Sequence, residues 1–210
     1  MRDYYDARLA EYDEVYRKPE RQHDLAIVRQ EVRQRVRGLT VFELACGTGY
    51  WTGVASESAK RIIATDVSES AIDVAQQRQY ACPVELLVAD ALRLEATPAV
   101  DMTMAMFWWS HVPKQDLEKF LLNVRAAMRG EGTLLFLDNR YVHGSSTAIG
   151  HTDDHGNTYQ VRKLRDGSSH EVLKNFPNRW ELEQALASVG ETVGLVETQY
   201  YWMGQIRWAA

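Results

Sequence analysis

The segment Glu43-Leu44-Ala45-Cys46-Gly47-Thr48-Gly49-Tyr50-Trp51-Thr52 gathers the residues best suited to hold a ligand. Glycines at 47 and 49 let the backbone turn tightly and approach a bound group where a strand feeds a helix. Glu43 precedes Gly47 by four residues, and Asp66 follows it by 19, at the end of the next β-prone run. A carboxylate in the latter place suits ribose hydroxyls. Glu43 separates ligand classes, because a carboxylate beside the loop repels a diphosphate and attracts an ammonium group. Thr52 also occupies the place of the third glycine in a dinucleotide-binding turn. The expected ligand carries a ribose and a positive amino-acid end, and no phosphate.

Other side chains could act on a second molecule. His111 follows Phe107-Trp108-Trp109-Ser110 and is the candidate general base; its alternative role is to help start the next helix. His143, with Arg140 and Tyr141, is the second candidate. Trp108 and Trp109 suit an aromatic acceptor pocket or a cation–π contact with a bound cation, whereas core packing explains Trp180, Trp202 and Trp208 equally well. His151, Asp153, Asp154 and His155 invite a metal reading, but Thr152 and Gly156 favour a loop, where that spacing is unspecific. No metal is expected there; a mobile lid over the acceptor site is the better reading.

These groups need a scaffold, and the hydrophobic pattern describes one. Runs at 41–45, 61–65, 84–89, 100–107 and 132–137 are short, apolar and β-prone. Helical stretches at 51–59, 68–79 and 114–128 lie between them, the last stopping at Gly130. Such alternation, with continuously apolar strands, indicates an α/β protein with a parallel sheet covered on both faces. Ahead of it, Tyr5, Leu9, Tyr12 and Tyr16 make one helical stripe, and Pro19 opens a second helix that Gly38 closes. Behind it, runs at 157–164 and 170–174 flank Asp166-Gly167 as a β-hairpin. Asn178 and Glu181 form a capping-box start for a helix ending at Gly190, and strands at 192–198 and 201–208 follow.

With these elements placed, a resemblance is plain. Glu43-Leu-Ala-Cys-Gly-Thr-Gly resembles the first motif of class I S-adenosylmethionine-dependent methyltransferases, and Ile62-Ile-Ala-Thr-Asp66-Val-Ser68 the second. Val88-Ala-Asp90-Ala91 looks like the third, and the stretch from Val100-Asp101 through Phe107 to Pro113 the fourth. The match spans about residues 40–140. It implies a Rossmann-like seven-stranded, mostly parallel sheet in order 3-2-1-4-5-7-6, with the last strand antiparallel. It implies S-adenosyl-L-methionine as cofactor. Glu43 and the backbone of Ala45, Gly47 and Gly49 would hold the methionyl end. Asp66, with Val67 beside it, would hold the ribose, and Asp90 with Ala91 the adenine. Phe107 would line the wall near the methionyl tail and acceptor. Tyr4, Tyr5, Tyr12 and Tyr16 resemble the tyrosine-bearing amino-terminal lid of small-molecule members, Tyr4 and Tyr12 being assigned to the cofactor.

Composition limits the partners. The 210 residues carry a net charge of −5, and no stretch concentrates positive charge as a nucleic-acid surface requires. Residues 39–100 alone carry four basic against eight acidic side chains. No apolar run approaches the ~18 residues of a membrane helix. Cys46 and Cys82 have no paired spacing, and Met1 to Asp6 show no secretory pattern, so a cytoplasmic protein is expected. A single domain accounts for the length: a helical lid over 1–38, a cofactor core over 39–140, an insertion with a hairpin over 141–177, and closing elements over 178–210. The expected reaction is methyl transfer to a nitrogen, oxygen or carbon of a small molecule, by in-line displacement in which alignment supplies most of the acceleration. Alternatives are a peptide or RNA methyltransferase, a non-catalytic cofactor-binding protein and, against Glu43 and Thr52, a nicotinamide oxidoreductase. Oligomeric state stays open.

Overall fold

Each apolar run becomes a strand of one twisted sheet. The computed structural model describes residues 2–94, 99–128 and 132–208. β1 (Thr40–Leu44), β2 (Arg61–Asp66), β3 (Val84–Val88), β4 (Met102–Met106) and β5 (Gly132–Asn139) pair in parallel. β6 (His151–Thr152), β7 (Thr158–Lys163) and β8 (Ser169–Leu173) then build a separate antiparallel sheet. β9 (Glu191–Glu197) and β10 (Tyr201–Trp208) return to the main sheet, whose order is β3-β2-β1-β4-β5-β10-β9. β10 lies antiparallel to both its neighbours. The seven-stranded Rossmann-like architecture is therefore as expected.

Alternation along the strands sorts the core into two layers. Val41, Ile62, Met104, Leu135 and Leu137 face one side, where they meet Leu25, Val28 and Val32 of a helix over Gln22–Arg35 and Trp51 and Val54 of one over Tyr50–Ser56. Phe42, Leu44, Ile63, Leu134 and Phe136 face the other, against Leu121 and Val124 of Leu117–Ala127 and Leu182 and Leu186 of Arg179–Ala187. β4 is buried along its whole length, which follows from having strands on both sides and helices on both faces. The capping box of Asn178 and Glu181 is present, with both reciprocal hydrogen bonds. Gly130 lies outside the described residues.

The amino-terminal stripe departs from a single α-helix. An α-helix over Arg2–Arg8 tightens into a 3-10 helix over Leu9–Arg17 before Pro19 restarts the chain. Steps of three and four fit either winding, so the contacts of the tyrosines decide which forms. Tyr4 packs with Leu164 and Val172 of the small sheet, while Tyr16 joins the main core. Residues 151–152 make a strand where the sequence suggested a loop. His151 stacks on Tyr159 with ring centres 4.6 Å apart, and Asp153 accepts hydrogen bonds from the backbone N–H groups of His155 and Asn157. Asp154 and His155 are exposed. Among the described residues no helix is long and apolar enough to cross a membrane.

Candidate active site

The two central strands end in strained turns on the same edge of the sheet. Beyond β1, Ala45 has φ of 52°, and beyond β4, Phe107 has φ of 61°. Such values in residues other than glycine cost on the order of 1–3 kcal/mol and persist only where surrounding contacts impose them. Gly47 and Gly49 continue the first turn at φ of 55° and 76°. At Gly49 even a methyl group would crowd Ala75, with 3.1 Å between the Cβ atoms, so glycine is required there for space as well as for conformation.

Two carboxylates organise this loop. Asp66 accepts the Gly47 N–H at 2.8 Å and the Ser68 N–H at 2.9 Å, tying the end of β2 to the glycine turn. Glu43 is buried and accepts the Thr52 hydroxyl at 2.6 Å through Oε2. Its Oε1 has no hydrogen-bond partner. Burial pushes the Glu43 carboxyl up to about 8 and Asp66 adds to the rise, while the Thr52 hydrogen bond opposes it. A buried carboxyl with an unused oxygen fits a cationic donor, and a diphosphate would meet two acids here. The residues present thus fit S-adenosylmethionine, whose ammonium and ribose are the complementary groups. Asp90 and Ala91 follow β3, with Asp90 half-buried and Ala91 buried. Val67 is exposed at the mouth of the turn.

The amino-terminal segment crosses this loop. Asp13 accepts the Thr48 hydroxyl at 2.7 Å and pairs with Arg78. Tyr16 stacks on Tyr50 at 3.7 Å and receives the Trp51 indole N–H at 3.2 Å. Phe107 stands among Tyr16, Trp51 and Tyr201. Tyr12 lies between Tyr5 and Tyr16, with ring centres 6.0 and 6.4 Å away.

Beyond Phe107 a cavity of about 290 Å³ opens between this segment, the carboxyl ends of β4 and β5, and the small sheet. His111 is buried in its wall. The Nδ1–H donates to the Leu173 carbonyl at 2.7 Å, which leaves Nε2 to accept the Tyr5 hydroxyl at 2.8 Å. Burial holds the imidazole well below its usual range, and the charges of Lys174 and Arg162 add to this. Lys174 is itself buried. It donates to Asp138 at 2.9 Å and to the Ser110 hydroxyl, and Asp138 also accepts the Ser110 N–H at 2.9 Å. This network joins the end of β8 to the ends of β4 and β5.

The structure brings Tyr4, Tyr12, Phe107 and His111 into the cavity wall, and separates other candidates from it. Trp109 packs edge-on against Phe136 and Trp202 in the core, and half-buried Trp108 leans on the same layer. His143 is exposed in the turn after β5. Arg140 donates to the Thr198 carbonyl at 2.6 Å on the surface, and Tyr141 is exposed beside Phe176. Arg8, Arg21, Arg162 and Lys174 also line the cavity, and no sequence motif marks them. Each reads as an ordinary surface cation within its own segment, and only folding assembles them.

Residues 41–132 match the family model described as a methyltransferase domain. The chain is 27% identical over 191 residues to the malonyl-[acyl-carrier protein] O-methyltransferase of Serratia marcescens, covering 80% of this chain and 72% of that one. A solved DhpI–SAH complex superposes with a TM-score of 0.77 at 30% identity, over 99% of this chain and 94% of the other. A DhpI–SAM–HEP complex does so with 0.76 at 29% identity, over 98% and 94%. The sheet order, the glycine turn with its two carboxylates and these likenesses agree, and the chain belongs to the class I S-adenosylmethionine-dependent methyltransferases.

Proposed function

We propose that this enzyme methylates a small molecule held in the cavity beside Phe107. The observation that carries the reading is the position of that cavity, next to the end of β4 and roofed by the tyrosine-bearing segment. Its volume of about 290 Å³ suits a compact acceptor. When bound, S-adenosylmethionine supplies an activated methyl group that needs alignment more than acid–base help. Glu43 and the Gly47–Gly49 backbone hold the charged methionyl end, Asp66 the ribose, and Asp90 with Ala91 the adenine. Phe107 separates that crevice from the acceptor. His111 is a weak base where it stands, because burial and neighbouring cations oppose its protonation. It acts instead through Nε2, holding the Tyr5 hydroxyl and with it the segment that excludes water.

The Serratia marcescens relative is named for an acceptor borne on a carrier protein, and that is the competing reading. The deciding experiment supplies methyl-labelled S-adenosylmethionine with a panel of metabolites, and separately with malonyl-loaded acyl-carrier protein. A labelled free metabolite supports the proposal. Label entering only the carrier-bound acyl group overturns it.

A further inference from the structure

The cavity has an electrical character that the cofactor crevice lacks. Two guanidinium groups converge on one phenol: Arg8 donates to the Tyr4 hydroxyl at 2.8 Å, and Arg162 reaches it at 3.5 Å. Arg162 also donates to the Gln160 side-chain oxygen at 2.8 Å. A third guanidinium, Arg21, is only 7% exposed, and donates to the Ser145 hydroxyl at 2.9 Å and the Asn139 side-chain oxygen at 3.2 Å. Every one of these hydrogen-bond partners is neutral. Among the described residues no carboxylate forms an ion pair with Arg8, Arg21 or Arg162.

None of the nearby described acids pairs directly with these guanidiniums. Glu11, the acid in the wall, pairs with Arg165 at 3.5 Å. Asp138 is committed to Lys174, and Glu20 reaches Arg21 only through the Ser145 hydroxyl, which it accepts at 2.7 Å. Arg21 is buried, and Arg8 and Arg162 are half-buried. Partly desolvated cations drawn together with no direct carboxylate partner among the described residues are unfavourable, and three of them around one cavity suit an anion supplied from outside. Planar guanidinium forks are also suited to carboxylate and phosphoryl oxygens.

Granted the small-acceptor reading above, we infer that the acceptor is an oxyanion, held by Arg8, Arg21 and Arg162 and methylated on oxygen. Three guanidiniums suit a doubly charged oxyacid group or two carboxylates better than one isolated negative charge. The chemistry balances without a base. A lone pair on the anionic oxygen forms the new O–C bond to the methyl carbon, and the C–S bond breaks with its electron pair remaining on sulfur. The negative charge of the oxygen and the positive charge of the sulfonium cancel, giving a neutral ester linkage and a thioether. No proton moves, which accords with a His111 that carries its only proton on Nδ1, bonded to the Leu173 carbonyl. An amine acceptor would enter as a cation among cations and would need a base.

The test is calorimetry on the full chain, first with S-adenosylhomocysteine alone and then, in its presence, with four probes: malonate, inorganic phosphate, methylphosphonate and ethanolamine. The expected result is binding of at least one oxyanion, weakened by added salt, and none of ethanolamine. Arg162→Gln and, separately, Arg8→Gln weaken that oxyanion roughly tenfold or more while S-adenosylhomocysteine binds as before. Arg162→Lys recovers part of the loss. Malonate against the two phosphorus oxyacids distinguishes a carboxylate from a phosphoryl source. Ethanolamine binding as well as the oxyanions, or oxyanion affinity unchanged in both glutamine variants, overturns the inference. Absence of S-adenosylhomocysteine binding strikes instead at the function proposed above. Arg8 lies on the amino-terminal segment and outside the main core, so its variant keeps the test valid if Arg162→Gln fails to fold.

Discussion

The crevice around the glycine loop and the cavity beyond Phe107 adjoin, yet they are built in opposite ways. The crevice is acidic, and its main parts, Glu43, Gly47, Gly49 and Asp66, come from one stretch of 24 residues. The cavity is cationic, and its parts come from residues 8, 21, 111, 162 and 174. On the reading proposed above, these two charges select a cation-bearing cofactor and an anionic acceptor, with Phe107 at the boundary. The lesson is that local sequence can build a site whose ligand is shared by a whole family, whereas a site for a particular acceptor draws on whatever segments the fold brings together.

The comparison can be broken at several points. The largest effect is expected at the network beneath the cavity. Asp138→Ala leaves the buried Lys174 ammonium without its partner and should cost about 3–5 kcal/mol in urea unfolding. A loss under 1 kcal/mol would mean that the cavity floor does not depend on this pair.

Next is Glu43. Its carboxyl is lifted from 4.5 to about 8, so the folded chain without cofactor keeps a proton that the unfolded chain releases. Stability contributed by that protonated form is full below about pH 4.5 and declines as pH rises toward 8. By pH 7 the decline amounts to about 3 kcal/mol, and Glu43→Gln should remove the slope in thermal melts across this range. Binding of S-adenosylmethionine near pH 7 should release a proton from Glu43, visible as a buffer-dependent binding enthalpy that Glu43→Gln abolishes. A buffer-independent enthalpy in the wild-type protein would remove Glu43 from the cofactor site.

Asp66→Ala should weaken S-adenosylmethionine by roughly 10- to 100-fold in calorimetry, from lost charged hydrogen bonds. Acceptor affinity, measured at saturating cofactor, should stay within about twofold, because the cationic cavity contains no part of Asp66. Equal losses on both ligands would show that the two regions are one site. The smallest effect belongs to Tyr5→Phe, which removes the hydroxyl bonded to His111 Nε2 and should cost about 1 kcal/mol. Its signature is a raised KM for the acceptor with kcat nearly kept. A collapse of kcat with KM unchanged would assign Tyr5 to the chemical step.

The division between sequence and structure follows from how far each interaction reaches along the chain. Alternating apolar runs and helical stripes are local patterns, and they sufficed for the sheet, its strand order through the family resemblance, and the hairpin at Asp166-Gly167. The capping box at Asn178 and Glu181 was legible because three residues separate its members. Trp109 was misleading for the same reason: proximity to Phe107 in sequence suggested proximity in space, but the strand-end turn sends its ring to the opposite layer against Trp202. His143 likewise follows β5 closely and still ends in solvent.

By itself, then, the sequence determined the scaffold and the carboxylate-flanked glycine turn, since those depend on side-chain period and on neighbours within about 25 residues. Only the tertiary structure decided that His111 meets Tyr5, 106 residues away, and that Arg8 and Arg162 share one phenol across 154 residues. Charge acts through space, and the sign of a pocket exists only once distant segments have closed around it.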